Sequence, residues 1–362
     1  MKYLSVEASL QEALKGIVPL SEAQISRIAM LCIGILLAGE VHLSKIARFL
    51  KGNTQQDSRI RWICRLLQAR FLTPELVYQP ILAHSLSYIR DKTWHLVIDR
   101  TTLWQGKIDL VTISLNYRKR GIPLIWQKVP FGGAPLLTYV AVVKRCVPVI
   151  PAHVKVVFHG DVEFGGRDMI QAVRLIGWDF MLAQRGLVHY KQAGMKRSKS
   201  LSSLVISRRR SCQLKQVDLL ATKSLGGINI LAFHQRHYVR GSSHKRDFCY
   251  IATSLPLGAG LQRLGRRRWG TEPFYRDYKS SGWHVTDSRL AHPARQDSLL
   301  VLLALLYLWS VCFGRWLCKI GQRSRVDAKK KRHLSIFRIG WDWLINQLIN
   351  QRKIPIFFRL YS

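Results

Sequence analysis

Two apolar runs in this sequence end on an aspartate, and in a chain so poor in acids that placement is the strongest constraint on the fold. Leu96, Val97 and Ile98 lead directly into Asp99, and Val154 to Phe158 lead through His159 and Gly160 into Asp161. Asp and Glu number 21 against 57 Lys and Arg, and a carboxylate set at the end of a buried strand costs free energy unless its charge is compensated. A strand that delivers an acid at its C-terminal end is a common way to build a catalytic or metal site. Taken alone, each acid has a plainer reading, a strand-end turn for Asp99 and a helix N-cap for Asp161.

The segments around the two acids give them an order. HLVID, IDLVTISLNY and IPLIWQKV, separated by turn-like segments with Gly106 and Gly121, predict a meander of three strands whose first ends on Asp99. A less regular apolar segment, Pro135 to Val143, precedes the strand VKVVF at 154–158. Beyond Asp161 come Gly165 and Gly166, a helix-like stretch from Asp168 to Ile176, and the strand WDFMLAQR.

A third acid lies in RRRWGTEPFYRDYKSSG, where Arg268, Glu272, Tyr275 and Lys279 are spaced by four, three and four residues. On a continuous helix they share one face. Pro273 is tolerated only in a first turn, so the helix either starts near Thr271 or bends there. A carboxylate with an arginine one turn before it and a lysine two turns after suits a metal ligand beside phosphates. The same spacing also describes an ordinary ion-pair ladder worth ~0.3–0.5 kcal/mol per pair.

Three antiparallel strands with an acid on the first, a parallel return to a strand ending in a second acid, another strand, then a helix with the third is the layout of the ribonuclease H-like fold. The fold class expected is therefore α/β, a mixed sheet flanked by helices. It gathers the three acids, and such a cluster suits two divalent metals ~3.5–4 Å apart, one side activating a nucleophile and the other stabilising a leaving oxygen. Mg²⁺ prefers hard oxygen ligands, which carboxylates supply.

From about His95 to Trp309 the sequence resembles bacterial insertion-sequence transposases of the DDE class, specifically the insertion-sequence-four family. The matches are HLVIDRTTL, VVFHGDVEFGGRDM and RRRWGTEPFYRDYKSSG. The family's third signature is Tyr, two residues, Arg, three residues, Glu, six residues, Lys; Arg268, Glu272 and Lys279 hold the last three places and Gly265 the tyrosine place. The resemblance implies that Asp99, Asp161 and Glu272 hold two Mg²⁺ or Mn²⁺ ions, and that Arg268, Lys279, Tyr275 and Arg276 contact DNA phosphates. It implies cleavage at the element's ends and strand transfer into target DNA by a homodimer on double-stranded DNA, with a hairpinned end as an intermediate. Two other readings stay open: a decayed element that binds DNA without cutting it, and a standalone nuclease of the same fold.

The remaining segments read as follows. Residues 1–90 form a helical region, with Arg59, Arg61, Arg65 and Arg70 on its outer faces, that suits contact with DNA ends. Residues 91–186 begin the catalytic core, 187–255 form a β-rich insertion, 256–320 complete the core, and 321–362 are a basic C-terminal stretch suited to DNA or dimer contacts. Leu299 to Phe313 is strongly apolar but shorter than the ~20 residues of a membrane span, and reads as a core helix, with no membrane partner. Seven widely spaced cysteines without a CxxC pair point to a reducing, cytoplasmic setting, in the nucleoid of a bacterium. The net charge of +36 calls for a polyanion, and the clusters Lys196, Arg197, Lys199; Arg208, Arg209, Arg210; and Arg266, Arg267, Arg268 suit phosphates. Trp269, Trp283, His95 and His159 read as packing residues first.

Overall fold

The computed structural model describes residues 3–204, 206, 211–220, 224–236, 246–279 and 282–361. The cluster Arg208, Arg209, Arg210 lies outside the described residues. The chain forms two compact units, one from residues 92–102 and 106–275, the other from 1–91, 103–105 and 276–362.

The first unit is built on a ten-stranded mixed sheet: β1 (Thr93–Leu103), β2 (Ile108–Tyr117), β3 (Arg120–Pro130), β4 (Lys155–Gly160), β5 (Asp179–Gln184), β6 (His189–Lys191), β7 (Lys199–Ser200), β8 (Cys212–Leu220), β9 (Ser224–Arg236) and β10 (Arg246–Thr253). Their order across the sheet is β3-β2-β1-β4-β5-β10-β9-β8-β6-β7. β2 and β3 are antiparallel, whereas β4 runs parallel to both β1 and β5. This 3-2-1-4-5 order is the ribonuclease H-like core that the sequence predicts. Both faces of β1 and β4 are covered, as their continuous burial from Trp94 to Ile98 and from Val156 to Gly160 requires of central parallel strands.

Two details differ from the sequence reading. The β2–β3 turn falls at Arg118 and Lys119, both with positive φ, and not at Gly121. Two successive left-handed residues give the twist that a two-residue hairpin needs, and Gly121 instead sits in β3 opposite Asn116, where a Cβ would meet Ser114 Oγ at 2.8 Å. The β-rich stretch from 187 to 255 continues the same sheet, because β10 pairs antiparallel with β5 and carries β9 and β8 outward.

Helices α1 (Leu136–Cys146) and α2 (Arg167–Ile176) pack on each other, α1 also on β2 and β3, and α2 on β5. α2 buries Met169, Ile170, Ala172 and Val173 and ends at Gly177 in the left-handed region. A separate apolar cluster joins Val157, Met181, Leu231, Phe233, Cys249 and Ile251 to Leu261, the first residue of α3 (Leu261–Gly265). A 3₁₀ turn at Arg266–Gly270 leads into α4 (Glu272–Tyr278).

The second unit is helical, with helices Val6–Lys15, Glu22–Ala38, Leu43–Arg48, Gln56–Leu66, Gln79–Leu86, Pro293–Lys319 and Ile336–Ile349, and a short antiparallel pair of Tyr3–Leu4 with Ile354–Pro355. Helix Pro293–Lys319 is long and apolar enough to cross a membrane by composition, yet 94% of its most apolar window is buried within the fold, where it forms the core of the unit. Trp283 is fully buried, stacked on Trp341 at 4.9 Å between ring centroids and edge-on to Phe337. All seven cysteines are free.

Helices Pro293–Lys319 and Ile336–Ile349 cross backbone to backbone at two glycines. A Cβ on Gly340 would lie 1.7 Å from the Ser310 carbonyl oxygen, and one on Gly314 would lie 1.8 Å from that of Ile336. No side chain can bend away from such a clash, so the helices themselves must separate. Gly340→Ala is expected to destabilise the unit by at least ~1–3 kcal/mol. Thermal unfolding checks this, and an unchanged midpoint contradicts the close crossing.

Candidate active site

Parallel pairing of β1 and β4 aligns Ile98 with Gly160, so the chain delivers Asp99 and Asp161 one residue beyond that last aligned pair. Both are half-buried and line a cleft of about 170 Å³ together with Val97, Ile98, Arg268, Trp269, Thr271 and Glu272. All of these belong to the sheet-based unit.

Each aspartate is held by its backbone surroundings. Arg100 N–H donates to Asp99 Oδ1 at 2.8 Å, and the Thr271 hydroxyl lies 3.0 Å from Asp99 Oδ2. Asp161 Oδ1 accepts the Glu163 N–H at 2.9 Å, closing a tight turn, while the N-cap of α2 is Gly166. Asp161 is therefore not the helix cap, the plainer reading of its position.

The electrostatics of the cleft are those of crowded negative charge. Burial, with the neighbouring charge of Asp161, raises the Asp99 carboxyl to about 6; the Arg100 N–H, the Thr271 hydroxyl and the Arg268 charge act against that rise. Arg268 supplies the cation: its guanidinium lies 5.1 Å from the centroid of Trp269, and its Nε is buried without a partner.

The third acid enters differently from the expectation of one continuous helix. α4 begins at Glu272, with Pro273 in its first turn, and Arg268 sits before it in the 3₁₀ turn. Glu272 is exposed on the wall of the cleft, whereas Tyr275, one turn on in the same helix, is buried. Tyr275 donates its hydroxyl to the Asp99 carbonyl at 2.9 Å, which anchors the backbone at the first aspartate. Arg276 is exposed and Lys279 half-buried, and both belong to the helical unit.

Gly265, in the tyrosine place of the signature, lies close against the sheet. A Cβ there would meet Ile251 Cδ1 at 2.7 Å and Met181 Cε at 3.4 Å. Both atoms are side-chain ends, so a larger residue here requires those two side chains to give way.

The donor set suits a hard divalent cation, since the cleft offers only carboxylate and hydroxyl oxygens. The charge of Asp161 raises the cost of ionising Asp99, a cost that a bound cation would offset. Among the described residues no three His, Cys, Asp or Glu side chains come within reach of one ion. Glu272 shares the cleft without closing a three-acid cage.

Further residues brace the site, some of them, such as Arg100, Asp109 and Tyr139, without a sequence signal. Arg100 donates from Nε to Glu163 Oε2 at 2.9 Å and from Nη1 to the fully buried Asp109. The Tyr139 hydroxyl donates to Glu163 Oε1 at 2.7 Å and accepts the Ala134 N–H at 2.8 Å. His95 and His159 face each other at 2.9 Å between Nδ1 and Nε2. Burial drives both imidazoles toward the neutral form, His95 to about 4, with the Arg267 charge adding to each shift.

Fold and site together define an α/β chain with a ribonuclease H-like core and a carboxylate cleft where the pairing of its two central parallel strands ends. The family model described as transposase DDE domain matches residues 140–309, a span that contains Asp161 and Glu272. The match is a likeness over slightly less than half of the chain. No curated protein matches the sequence. Among solved structures, the piggyBac transposase in a synaptic complex with hairpin DNA has a TM-score of 0.47 at 12% identity, over 96% of this chain and 77% of that one. Marinitoga piezophila Argonaute with 5′ OH guide RNA has a TM-score of 0.26 at 8% identity, over 70% of this chain and 40% of that one. Scores this low carry no functional weight.

The Arg100 brace yields a stability prediction. Burial alone would raise the Asp109 carboxyl, but hydrogen bonds from Thr102, Arg100 and the Gly132 N–H, with the Arg100 charge, hold it below the usual range. A folded-state pKa lowered in this way contributes stability that is present above the unfolded value of ~3.9 and is lost as pH falls through the folded one. Arg100→Met leaves Asp109 buried without its cation and is expected to cost ~3 kcal/mol at neutral pH. In the variant burial dominates and Asp109 takes up a proton early, so the deficit should shrink at ~pH 4 and below. Urea unfolding of both proteins at the two pH values measures this; an equal deficit at each refutes the brace.

Proposed function

We propose that the protein is a metal-dependent transposase that cuts double-stranded DNA at the ends of its element and joins the freed 3′ ends to target DNA. The observation that carries this reading is the arrival of Asp99 and Asp161 from adjacent parallel strands in one cleft with Glu272 and Arg268. The transposase DDE domain match over residues 140–309 supports the same class of reaction.

Asp99, Asp161 and Glu272 would hold Mg²⁺ or Mn²⁺. When bound, such ions activate a water or a 3′-hydroxyl and stabilise the leaving oxygen of a phosphodiester. The chain's own residues set the stage for that chemistry. Arg100 N–H and Thr271 fix the two oxygens of Asp99, Tyr275 anchors its backbone, and the Glu163 N–H fixes one oxygen of Asp161. Arg268 places a fixed positive charge where a scissile phosphate would lie, and the half-buried Trp269 forms part of the wall beneath that guanidinium. Exposed Arg266, Arg267, Lys196, Arg197 and Lys199 add sequence-independent attraction for the duplex. Work at two DNA ends by a homodimer is part of this proposal.

The test is cleavage and strand transfer on DNA carrying the element's own ends, with Mg²⁺, with Mn²⁺ or with EDTA. Intact protein should cut and join only with metal, and Glu272→Ala and Asp99→Asn should abolish both steps while remaining folded. End binding without cutting by the intact protein would favour a decayed, binding-only protein. Cutting without joining would favour a nuclease.

A further inference from the structure

The helical unit holds a concentration of cations that the carboxylate cleft does not use. Between Gly321 and His333 the sequence has six Lys and Arg and one acid, Asp327. A run of like charge repels itself and ordinarily stays solvated and irregular. Here it is folded around its acid. Arg323 Nη1 donates to Asp327 Oδ2 at 2.8 Å and to the Ala328 carbonyl at 2.7 Å, while Nη2 donates to the Lys329 carbonyl at 2.9 Å. Asp327 Oδ1 accepts the Ala328 N–H at 2.8 Å, and both of its oxygens lie 3.2 Å from the His333 N–H. The Asp327 side chain is only 2% exposed, so the single carboxylate of the segment is consumed internally.

Two consequences follow from that fold. Lys329, Lys330, Lys331 and Arg332 are left exposed, and among the described residues no acid pairs with them. Lys329 and Arg332 also line, with Cys318, Gly321, Arg323 and Ser324, a concave site of about 430 Å³. A concavity with two cations that no acid pairs with, Lys329 and Arg332, a hydroxyl and no free carboxylate suits an oxyanion. The row of exposed lysines beside it suits an anion that repeats, as the phosphates of a duplex do, better than a single small one.

We propose that residues 318–333 form a preorganised knuckle that binds the phosphate backbone of double-stranded DNA, a hold on DNA separate from the carboxylate cleft. The choice of DNA as the polyanion rests on the transposase reading. The Arg323–Asp327 pair acts as a positioning contact: it shapes the knuckle without touching the DNA.

The sign of one substitution separates this from a solvated charge run. Asp327→Asn adds a net positive charge, so simple charge attraction would tighten DNA binding; loss of the knuckle's fold would weaken it. The experiment is anisotropy of a short labelled duplex of arbitrary sequence with the full chain, in EDTA, across a salt series. The variants are Asp327→Asn and Lys329→Ala/Lys330→Ala/Lys331→Ala. At ~0.9 in slope per phosphate contact, the triple variant is expected to lower the dependence of log affinity on log salt by ~2–3. Asp327→Asn is expected to weaken binding about tenfold and lower the slope as well. An unchanged slope in the triple variant, or equal or tighter binding by a folded Asp327→Asn, overturns the proposal. If Asp327→Asn does not fold, the triple variant, altered only at exposed positions, decides the matter. EDTA keeps cutting out of the measurement, so failure of the transposase reading appears separately, as no metal-dependent cleavage with these slopes intact.

Discussion

Parallel pairing of Thr93–Ile98 with Lys155–Gly160 sets where everything else in the sheet-based unit has to be. Because the two strands run the same way and their pairing ends in register at Ile98 and Gly160, Asp99 within β1 and Asp161 just beyond β4 come out on the same side. The arrangement is electrostatically unfavourable by itself: burial and the second carboxylate push Asp99 up to about 6. The local structure answers that cost with donors, the N–H groups of Arg100 and Glu163 and the hydroxyl of Thr271, and with the charge of Arg268. Arg100 works twice, its backbone on Asp99 and its side chain between Asp109 and Glu163.

The strands between residues 187 and 255 bring the third acid into place by extending the sheet. β10 lies on β5, and α3 packs through Leu261 on the apolar cluster they share. Gly265 then lets the backbone of α3 settle against Ile251 and Met181, and the following 3₁₀ turn carries Arg268 and Trp269 to the cleft. Glu272 opens its helix because Pro273 can occupy only a first turn. The same sequence feature that breaks the helix therefore leaves Glu272 exposed at the cleft and sends Tyr275 into the core.

Much of this was legible in the sequence because it rests on short-range pattern. Apolar runs predict strands β1 to β5, and acids at their ends are conspicuous where acids are rare. The buried helix Pro293–Lys319 announces itself by composition. The extension of the central sheet by β10, β9 and β8 was not legible, since strand pairing across tens of residues leaves no local trace. Nor was the Arg100 brace: Asp109 looks like any polar residue in an alternating strand until Arg100 is placed beside it. The shared face expected of Arg268 and Glu272 followed from spacing on a continuous helix, and the helix start at Glu272 removes that geometry. Lys329 to Arg332 read as a charge run because nothing in the sequence says that Asp327 will be enclosed.

Manganese binding tests the central claim most directly, because it asks whether the cleft holds a cation before any DNA chemistry is considered. Electron paramagnetic resonance of Mn²⁺ titrated into the full chain without DNA would count bound ions in the intact protein and in Asp99→Asn/Asp161→Asn. The account predicts saturable binding in the intact protein that disappears in a folded double variant. Equal binding by both, or none by the intact protein, would contradict it.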